Sequence, residues 1–253
     1  MTNIILCGCG GRMGQAIVRA AAEDSTCRIV AGVDVNAGAV APVCSFPVYE
    51  SISDFPGKAD VIVDFSHHTA LLPLTEYASA TGTPLVVATT GHTEEERALM
   101  TKTAEQVALF FSGNMSIGIN LLMELCRQAA ATLGESFDVE IIEKHHNQKL
   151  DAPSGTALMI ADALCEDAEH PYVYDRHTVR KKRERGEIGL HAVRGGNIVG
   201  EHEVMFCGQN EIVTLSHSAA SREVFATGAL RAARFMQGKG PGFYNMDDVI
   251  GTL

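Results

Sequence analysis

Apolar and polar positions follow two different rhythms along this chain, and the change falls near residue 114. Before it, short and nearly uninterrupted apolar runs recur at 3–7, 28–34, 60–65, 84–88 and 107–111. Runs of that kind fit strands covered on both faces. Segments with helical spacing, 12–23, 70–80 and 93–105, separate several of them. Strand and helix in repeated alternation predict an α/β fold with a doubly wound parallel sheet. Ligands of such sheets bind beyond the carboxyl ends of the strands. The segments Asp64-Phe-Ser66, Ala88-Thr-Thr-Gly91 and Ser112-Gly-Asn-Met115 all fall at such ends.

After residue 114 the rhythm changes. Ser116 to Leu133 reads as one long helix with Leu121, Leu122, Leu125, Ala129 and Leu133 on one face. Residues 137–146 alternate apolar and polar, as a half-buried strand does. Further strands are predicted at 188–194, 198–207 and 210–217 without a helix between each, which makes the second region α+β with an open, largely antiparallel or mixed sheet. A final amphipathic helix covers 221–237. The basic run 180–185 (Arg-Lys-Lys-Arg-Glu-Arg) reads as a solvated loop, with a flap that attracts a dicarboxylate as the alternative.

Two segments carry chemistry. At the N-terminus a strand runs into Gly8-Cys9-Gly10-Gly11-Arg12-Met13-Gly14 and then into a helix. That order is the Rossmann-like dinucleotide entry, with pyrophosphate on the helix N-terminus. The spacing departs from strict G-x-G-x-x-G, because Met13 holds the third glycine's place and Gly14 follows it. The second strand ends at Asp34, where an acidic side chain accepts hydrogen bonds from the adenosine ribose.

The other segment is Glu143 to Ala157. It holds His145, His146 and Lys149, then Pro153-Ser154-Gly155-Thr156 opening an apolar helical run. Ser154 suits the N-cap, and a helix N-terminus attracts carboxylates. The segment therefore reads as a proton donor beside an anion cradle. Adjacent strand residues point to opposite faces, so His145 and His146 do not share an ion, and no metal is expected.

With these motifs in view, the chain resembles the 4-hydroxy-tetrahydrodipicolinate reductases, formerly called dihydrodipicolinate reductases, of the diaminopimelate and lysine pathway. The resemblance runs over essentially the whole length. It rests on the glycine loop, Asp64-Phe-Ser66, Ala88-Thr-Thr-Gly91, Asn114-Met-Ser-Ile-Gly118, His145 to Ala157, and Arg194-Gly-Gly-Asn-Ile-Val-Gly-Glu-His202. Two positions depart from the family pattern: Ala88 stands where Gly is usual, and His67-His68 follow Ser66. Those two histidines read as exposed loop residues without a role.

The resemblance implies a dinucleotide-binding domain of residues 1–115 and 223–253, and a substrate-binding and oligomerisation domain of 116–222. It implies that Ala88, Thr89, Thr90, Ser112, Gly113, Asn114 and Met115 line the nicotinamide side. It implies His145 as general acid, Lys149 as second proton donor or electrostatic stabiliser, and His146, Ser154, Gly155 and Thr156 around a ring carboxylate. Asp151 is expected to orient the loop. The substrate is then a small cyclic imine dicarboxylate, and the assembly a homotetramer. NADH and NADPH are both expected, with NADH at least as good, because Asp34 repels a 2′-phosphate and Arg12 is the one nearby cation.

Composition narrows the alternatives. A formal charge of −11 argues against nucleic acid or an anionic membrane surface as partner. Seven scattered cysteines without Cys-x-x-Cys fit a reducing compartment. No apolar stretch suits a signal peptide or a membrane span, so a cytoplasmic protein is expected. Two rival classes remain: another two-domain nicotinamide oxidoreductase, and a non-catalytic dinucleotide sensor. A sensor has no use for a proton donor and an anion cradle.

Overall fold

Each apolar run of the first half becomes a strand, and each helical run between them crosses back over the sheet. In chain order these are β1 (Thr2–Cys7), α1 (Arg12–Glu23), β2 (Cys27–Val33), α2 (Ala37–Val40), β3 (Val48–Tyr49), β4 (Val61–Asp64), α3 (Leu71–Thr81), β5 (Leu85–Val87), α4 (Glu94–Ala104) and β6 (Ala108–Phe111). There follow α5 (Ile117–Leu133), β7 (Asp138–His145), α6 (Gly155–Ala163), β8 (Tyr172–Val173), β9 (Ile188–Arg194), β10 (Gly200–Cys207) and β11 (Ile212–Ala219). The chain ends with α7 (Glu223–Met236), β12 (Gly242–Tyr244) and α8 (Met246–Ile250). This computed structural model describes residues 1–165, 172–174, 176–178 and 180–251. It divides into one unit of Met1–Ile117 with Arg222–Leu253 and another of Gly118–Ser221.

In the first unit seven strands lie in the order β12-β6-β5-β4-β1-β2-β3, and every pairing is parallel. Successive residues point to opposite faces, and both faces are covered. Ile4, Leu6, Val61, Val63, Val86 and Phe110 pack with Ala16 and Ile17 of α1 and Ala229, Leu230 and Ala233 of α7. Ile5, Ile62, Leu85, Val87 and Leu109 pack instead with Leu71, Leu74 and Ala78 of α3 and Met100 of α4. Burying one such side chain fully contributes about 1.5–3 kcal/mol, so two faces of continuous apolar strands dominate the stability of this unit. Gly228 lets α7 approach closely: a Cβ there would lie 1.7 Å from the Met115 carbonyl oxygen. An alanine at 228 would push the helix off the turn that follows β6.

The second unit is a five-stranded sheet in the order β11-β10-β7-β9-β8. Its β11-β10-β7 pairings are antiparallel and β7-β9-β8 parallel. One face, with Ile141, Ile188, Leu190, Val204 and Phe206, packs against α5 and α6. Here α5 corrects the expected helix face. Leu121 and Leu125 are 44% and 40% exposed, and the buried stripe runs through Ile119, Leu122, Met123 and Cys126. Ala129 and Leu133 still pack on the core. The leucines drew the expected face toward the outer side, whereas the thiol and thioether side chains, equally apolar, set the true one.

The basic run is more than a solvated loop. Arg183 lies against the sheet, with Nη1 2.7 Å from Asp138 and Nε 3.1 Å from Glu140. Among the described residues no helix is long and apolar enough to cross a membrane.

Candidate active site

Two regions gather the candidate residues, one in each unit. The first is the turn from β1 to α1. Gly8 adopts φ +75°, and a Cβ on it would meet the Phe65 carbonyl oxygen at 2.6 Å. A Cβ on Gly14 would lie 2.2 Å from the Gly8 oxygen. Only bare backbone fits at both positions, which answers why glycine stands one place later than the strict spacing. Gly11 caps α1 without a side-chain hydrogen bond, so the helix amides Arg12 and Met13 are not capped by it. Arg12 is exposed and Met13 half-buried, whereas Cys9 is fully buried and packs in the core.

Asp34 follows β2 directly. Its Oδ2 accepts the Gly10 N–H at 2.9 Å, and its Oδ1 accepts the Asn36 N–H at 3.0 Å. The carboxylate thus holds the glycine loop and keeps lone pairs for further donors. Beside it lies a cavity of about 460 Å³ whose lining includes Asp34, Val35, Ile52, Phe65, His67 and Leu74. His67, read from the sequence as a loop residue without a role, is part of that wall. His67 is exposed, as expected, and His68 is half-buried, with its Nδ1 2.9 Å from Glu96.

The neighbouring strand ends are pinned by Asp64, for which no role is expected from the sequence. Asp64 is fully buried and accepts from the Ser66 N–H at 3.0 Å and from Thr89 Oγ1 at 2.8 Å. Burial pushes its carboxyl pKa up, although Ser66 and Thr89 donate to it. Ala88 and Thr89 are buried there, and Thr90 is exposed. After β6, Ser112 Oγ donates to the Asn114 carbonyl at 2.8 Å, and Asn114 Oδ1 accepts from the Ser116 N–H at 2.9 Å. This compact turn leaves Gly113 exposed and buries Met115 in the core shared with α7.

The second region lies at the end of β7. Alternation along the strand sends Ile141, Glu143 and His145 to the buried face. Glu143 is fully buried, and its Oε2 lies 2.6 Å from His145 Nδ1. Burial raises the pKa of this carboxyl, but Arg194 and His145 more than offset that and hold it below the ordinary range. Ser154 caps α6, its Oγ accepting the Ala157 N–H at 3.1 Å. The same hydroxyl lies 3.2 Å from His202 Nε2, and the His202 ring crosses that of His145 with centroids 5.3 Å apart. Burial pulls His202 down to about 4, and His145 adds to the shift, so His202 is neutral near pH 7. Lys149 pairs with Asp151 at 2.8 Å, and Asp151 is held below its usual pKa by that bond.

His145, Lys149 and the Ser154–Thr156 helix start therefore share one unit and one end of β7. Gly155 is exposed at the first turn of α6, and His146 and Thr156 are half-buried. Glu143, Arg194 and His202 were missed as site residues. Their signal was present in the sequence, since Glu143 opens the histidine segment and Arg194 and His202 bound the second motif. Nothing in either spacing says that the three meet. Among the described residues no group of three or more His, Cys, Asp or Glu side chains is arranged to hold a metal ion. A second cavity of about 350 Å³, between Phe137, Leu164, Arg183 and Phe206, holds none of the candidate residues.

Family models of the dihydrodipicolinate reductase N-terminus and C-terminus match residues 2–115 and 118–250. The chain belongs to the dihydrodipicolinate reductase family. A 4-hydroxy-tetrahydrodipicolinate reductase of Caldanaerobacter subterraneus is 48% identical over 99% of this chain and 98% of its own length. One of Clostridium novyi is 45% identical over 99% and 98%. Among solved structures, the dipicolinate-bound dihydrodipicolinate reductase of Paenisporosarcina sp. TG-14 superposes with a TM-score of 0.81 at 27% identity, covering 97% of both chains. A myo-inositol dehydrogenase of Corynebacterium glutamicum has a TM-score of 0.62 at 17% identity and shares the fold alone. Family membership makes the first unit a pyridine-nucleotide-binding domain, and its glycine cradle and Asp34 fit that cofactor.

Proposed function

We propose that this chain reduces 4-hydroxy-tetrahydrodipicolinate to tetrahydrodipicolinate, with loss of water, in diaminopimelate and lysine biosynthesis. Full-length relatives that carry this activity in their names support the reading. The observation that carries it within the molecule is the joining of His145, Lys149 and the capped start of α6 at one end of β7. An acidic chain that takes a dicarboxylate needs a local cradle of donors and positive charge, and that is what this end of the sheet provides.

When bound, the reduced nicotinamide supplies a hydride to the cyclic imine. In the first unit, the loop from Gly8 to Met13, with the Arg12 and Met13 amides at the start of α1, receives the phosphates and Asp34 the ribose hydroxyls. The cavity beside Asp34 takes the adenine. Ala88, Thr89 and Thr90 with Ser112 to Met115 line the nicotinamide side. In the second unit, the Ser154, Gly155 and Thr156 donors with His146 hold a ring carboxylate. His145 gives a proton to the reduced ring, and Lys149 stabilises charge that develops there. Both NADH and NADPH serve, with NADH at least as good, because a carboxylate at the ribose disfavours a 2′-phosphate.

The family's homotetramer finds support in the sheet face opposite α5 and α6. Ile142, Met205 and Ile212 lie on it, and Ile212 is 58% exposed. Light scattering is expected to report about four chains, and a monomer at micromolar concentration would remove the tetramer but not the enzyme. The deciding experiment is nicotinamide oxidation followed by absorbance with enzymatically generated cyclic imine. Turnover with that substrate and none with sugars or semialdehydes is expected; the reverse pattern would assign the fold to another dehydrogenase.

A further inference from the structure

A carboxylate taken wholly out of water is costly unless every lone pair finds a donor. Glu143 meets that condition with four hydrogen bonds. Oε1 accepts from the Ser154 N–H at 3.0 Å and from Arg194 Nη2 at 2.6 Å. Oε2 accepts from His145 Nδ1 at 2.6 Å and from Arg194 Nη1 at 2.7 Å. Arg194 Nη2 also donates to the Asp151 carbonyl at 2.8 Å, which ties the loop before α6 to the same pair. One buried carboxylate thus fastens the imidazole with one oxygen and the start of the anion cradle with the other.

We propose that Glu143 is a positioning residue for proton transfer, fixing His145 with its Nδ1–H on the carboxylate so that Nε2 is the atom that hands over the proton. This rests on the reading of His145 as the proton donor. An ionised carboxylate only accepts, so the nitrogen facing it carries hydrogen in both charge states of the ring. The charged ring therefore presents Nε2–H. On transfer that N–H bond breaks and a bond from hydrogen to the substrate ring forms. The neutral ring stays bound to Glu143 through Nδ1–H, and Nε2 takes its next proton from water.

The surroundings of Nε2 agree with that task. A Cβ on Gly200 would lie 3.1 Å from it, so glycine there leaves this edge of the ring uncrowded. The groups facing the ring are Glu143 on its own strand, Arg194 at the end of β9, and His202 on β10. Burial keeps His202 neutral, and His217 of β11, also pulled down by burial, stands across from it. Lys149 is matched by Asp151. Glu143 is then the anion in direct contact with the imidazolium, and Arg194 holds it in place.

The test is Glu143→Gln, which keeps the shape and removes the charge. Turnover is expected to fall by about a hundredfold or more, the scale of a lost general acid, with KM and nucleotide affinity nearly unchanged. The double variant Glu143→Gln/His145→Ala should be no slower than His145→Ala alone. A structural role would instead lower the melting temperature and leave kcat in place, and that result overturns the proposal. Glu143→Asp is the second variant, usable if the glutamine variant does not fold: the shorter carboxylate keeps the charge but draws it back from His145, so kcat stays below wild type, and wild-type kcat overturns the proposal. If His145→Ala itself kept full turnover, the donor assignment would fail rather than the positioning role of Glu143.

Discussion

The two units build their candidate sites by opposite means. Around Gly8, Gly10 and Gly14 the first unit works by leaving side chains out, so that backbone amides and one carboxylate, Asp34, line the loop. At the end of β7 the second unit works by bringing buried charges in: Glu143, Arg194 and His145 are joined by hydrogen bonds, and the neutral His202 ring packs against His145. A site made of backbone fails by collision when it is altered. A site made of buried charge fails by losing a partner, and the fold around it can persist. The expected consequence is that damage to the first region shows in nucleotide binding, and damage to the second in turnover.

The sharpest separation comes from His145→Ala and Lys149→Met. Each is expected to lower kcat by about a hundredfold to ten-thousandfold, the range for a lost proton donor or electrostatic stabiliser. Nucleotide affinity, measured by fluorescence titration, should barely change, since both residues lie in the second unit. Near wild-type turnover in both variants would remove the catalytic assignment and with it half of the contrast.

Gly14→Ala probes the other side. Its new Cβ meets backbone, the Gly8 oxygen at 2.2 Å and Cys9 Cα at 2.7 Å, and backbone cannot turn aside as a side chain can. A loss of about 1–3 kcal/mol in stability is expected from overpacking, with nucleotide binding lost before substrate-analogue binding. A variant that binds nucleotide as wild type does would show that the loop yields without cost.

These differences also explain what the sequence made legible. The glycine loop, its strand and helix, and Asp34 lie within thirty-odd residues, and local spacing is enough to read them. The parallel sheet followed from continuous apolar runs covered on both faces. The strands β3, β8 and β12 did not, because two or three residues at a sheet edge show no period. The α5 face was misplaced because Met123 and Cys126 carry the core there as well as any leucine. Glu143, Arg194 and His202 span sixty residues, and only the pairing of β7 with β9 and β10 brings them together. Histidine and lysine in one short segment were visible; the buried carboxylate that orders them was a property of register.

The charge-built site should also respond to acid. His202 is pulled from 6.5 to about 4, so the unfolded chain binds its proton first as pH falls. Its contribution to stability is present above about pH 6.5 and is lost progressively toward pH 4. Between pH 7 and pH 5 this amounts to about 2 kcal/mol. Urea midpoints should fall over that range in wild type, and less steeply in His202→Gln. Equal slopes in the two proteins would mean that His202 titrates normally in the fold.

The smallest effect tests how far the backbone-built site depends on charge at all. On the proposed placement of the ribose, the charge of Asp34 disfavours a 2′-phosphate, and the next side chain, Val35, is 85% exposed. Val35→Arg would place a guanidinium where that phosphate would lie, beside the cavity that Val35 lines. In water such a pair is screened, so a gain of about 1 kcal/mol in NADPH affinity is expected, near fivefold, with NADH affinity little changed. Calorimetric titration of both nucleotides reads this directly. Wild-type protein that already bound NADPH more than tenfold tighter than NADH would show that Arg12 and the loop amides outweigh Asp34, and that the first unit selects its cofactor by charge as the second does its substrate.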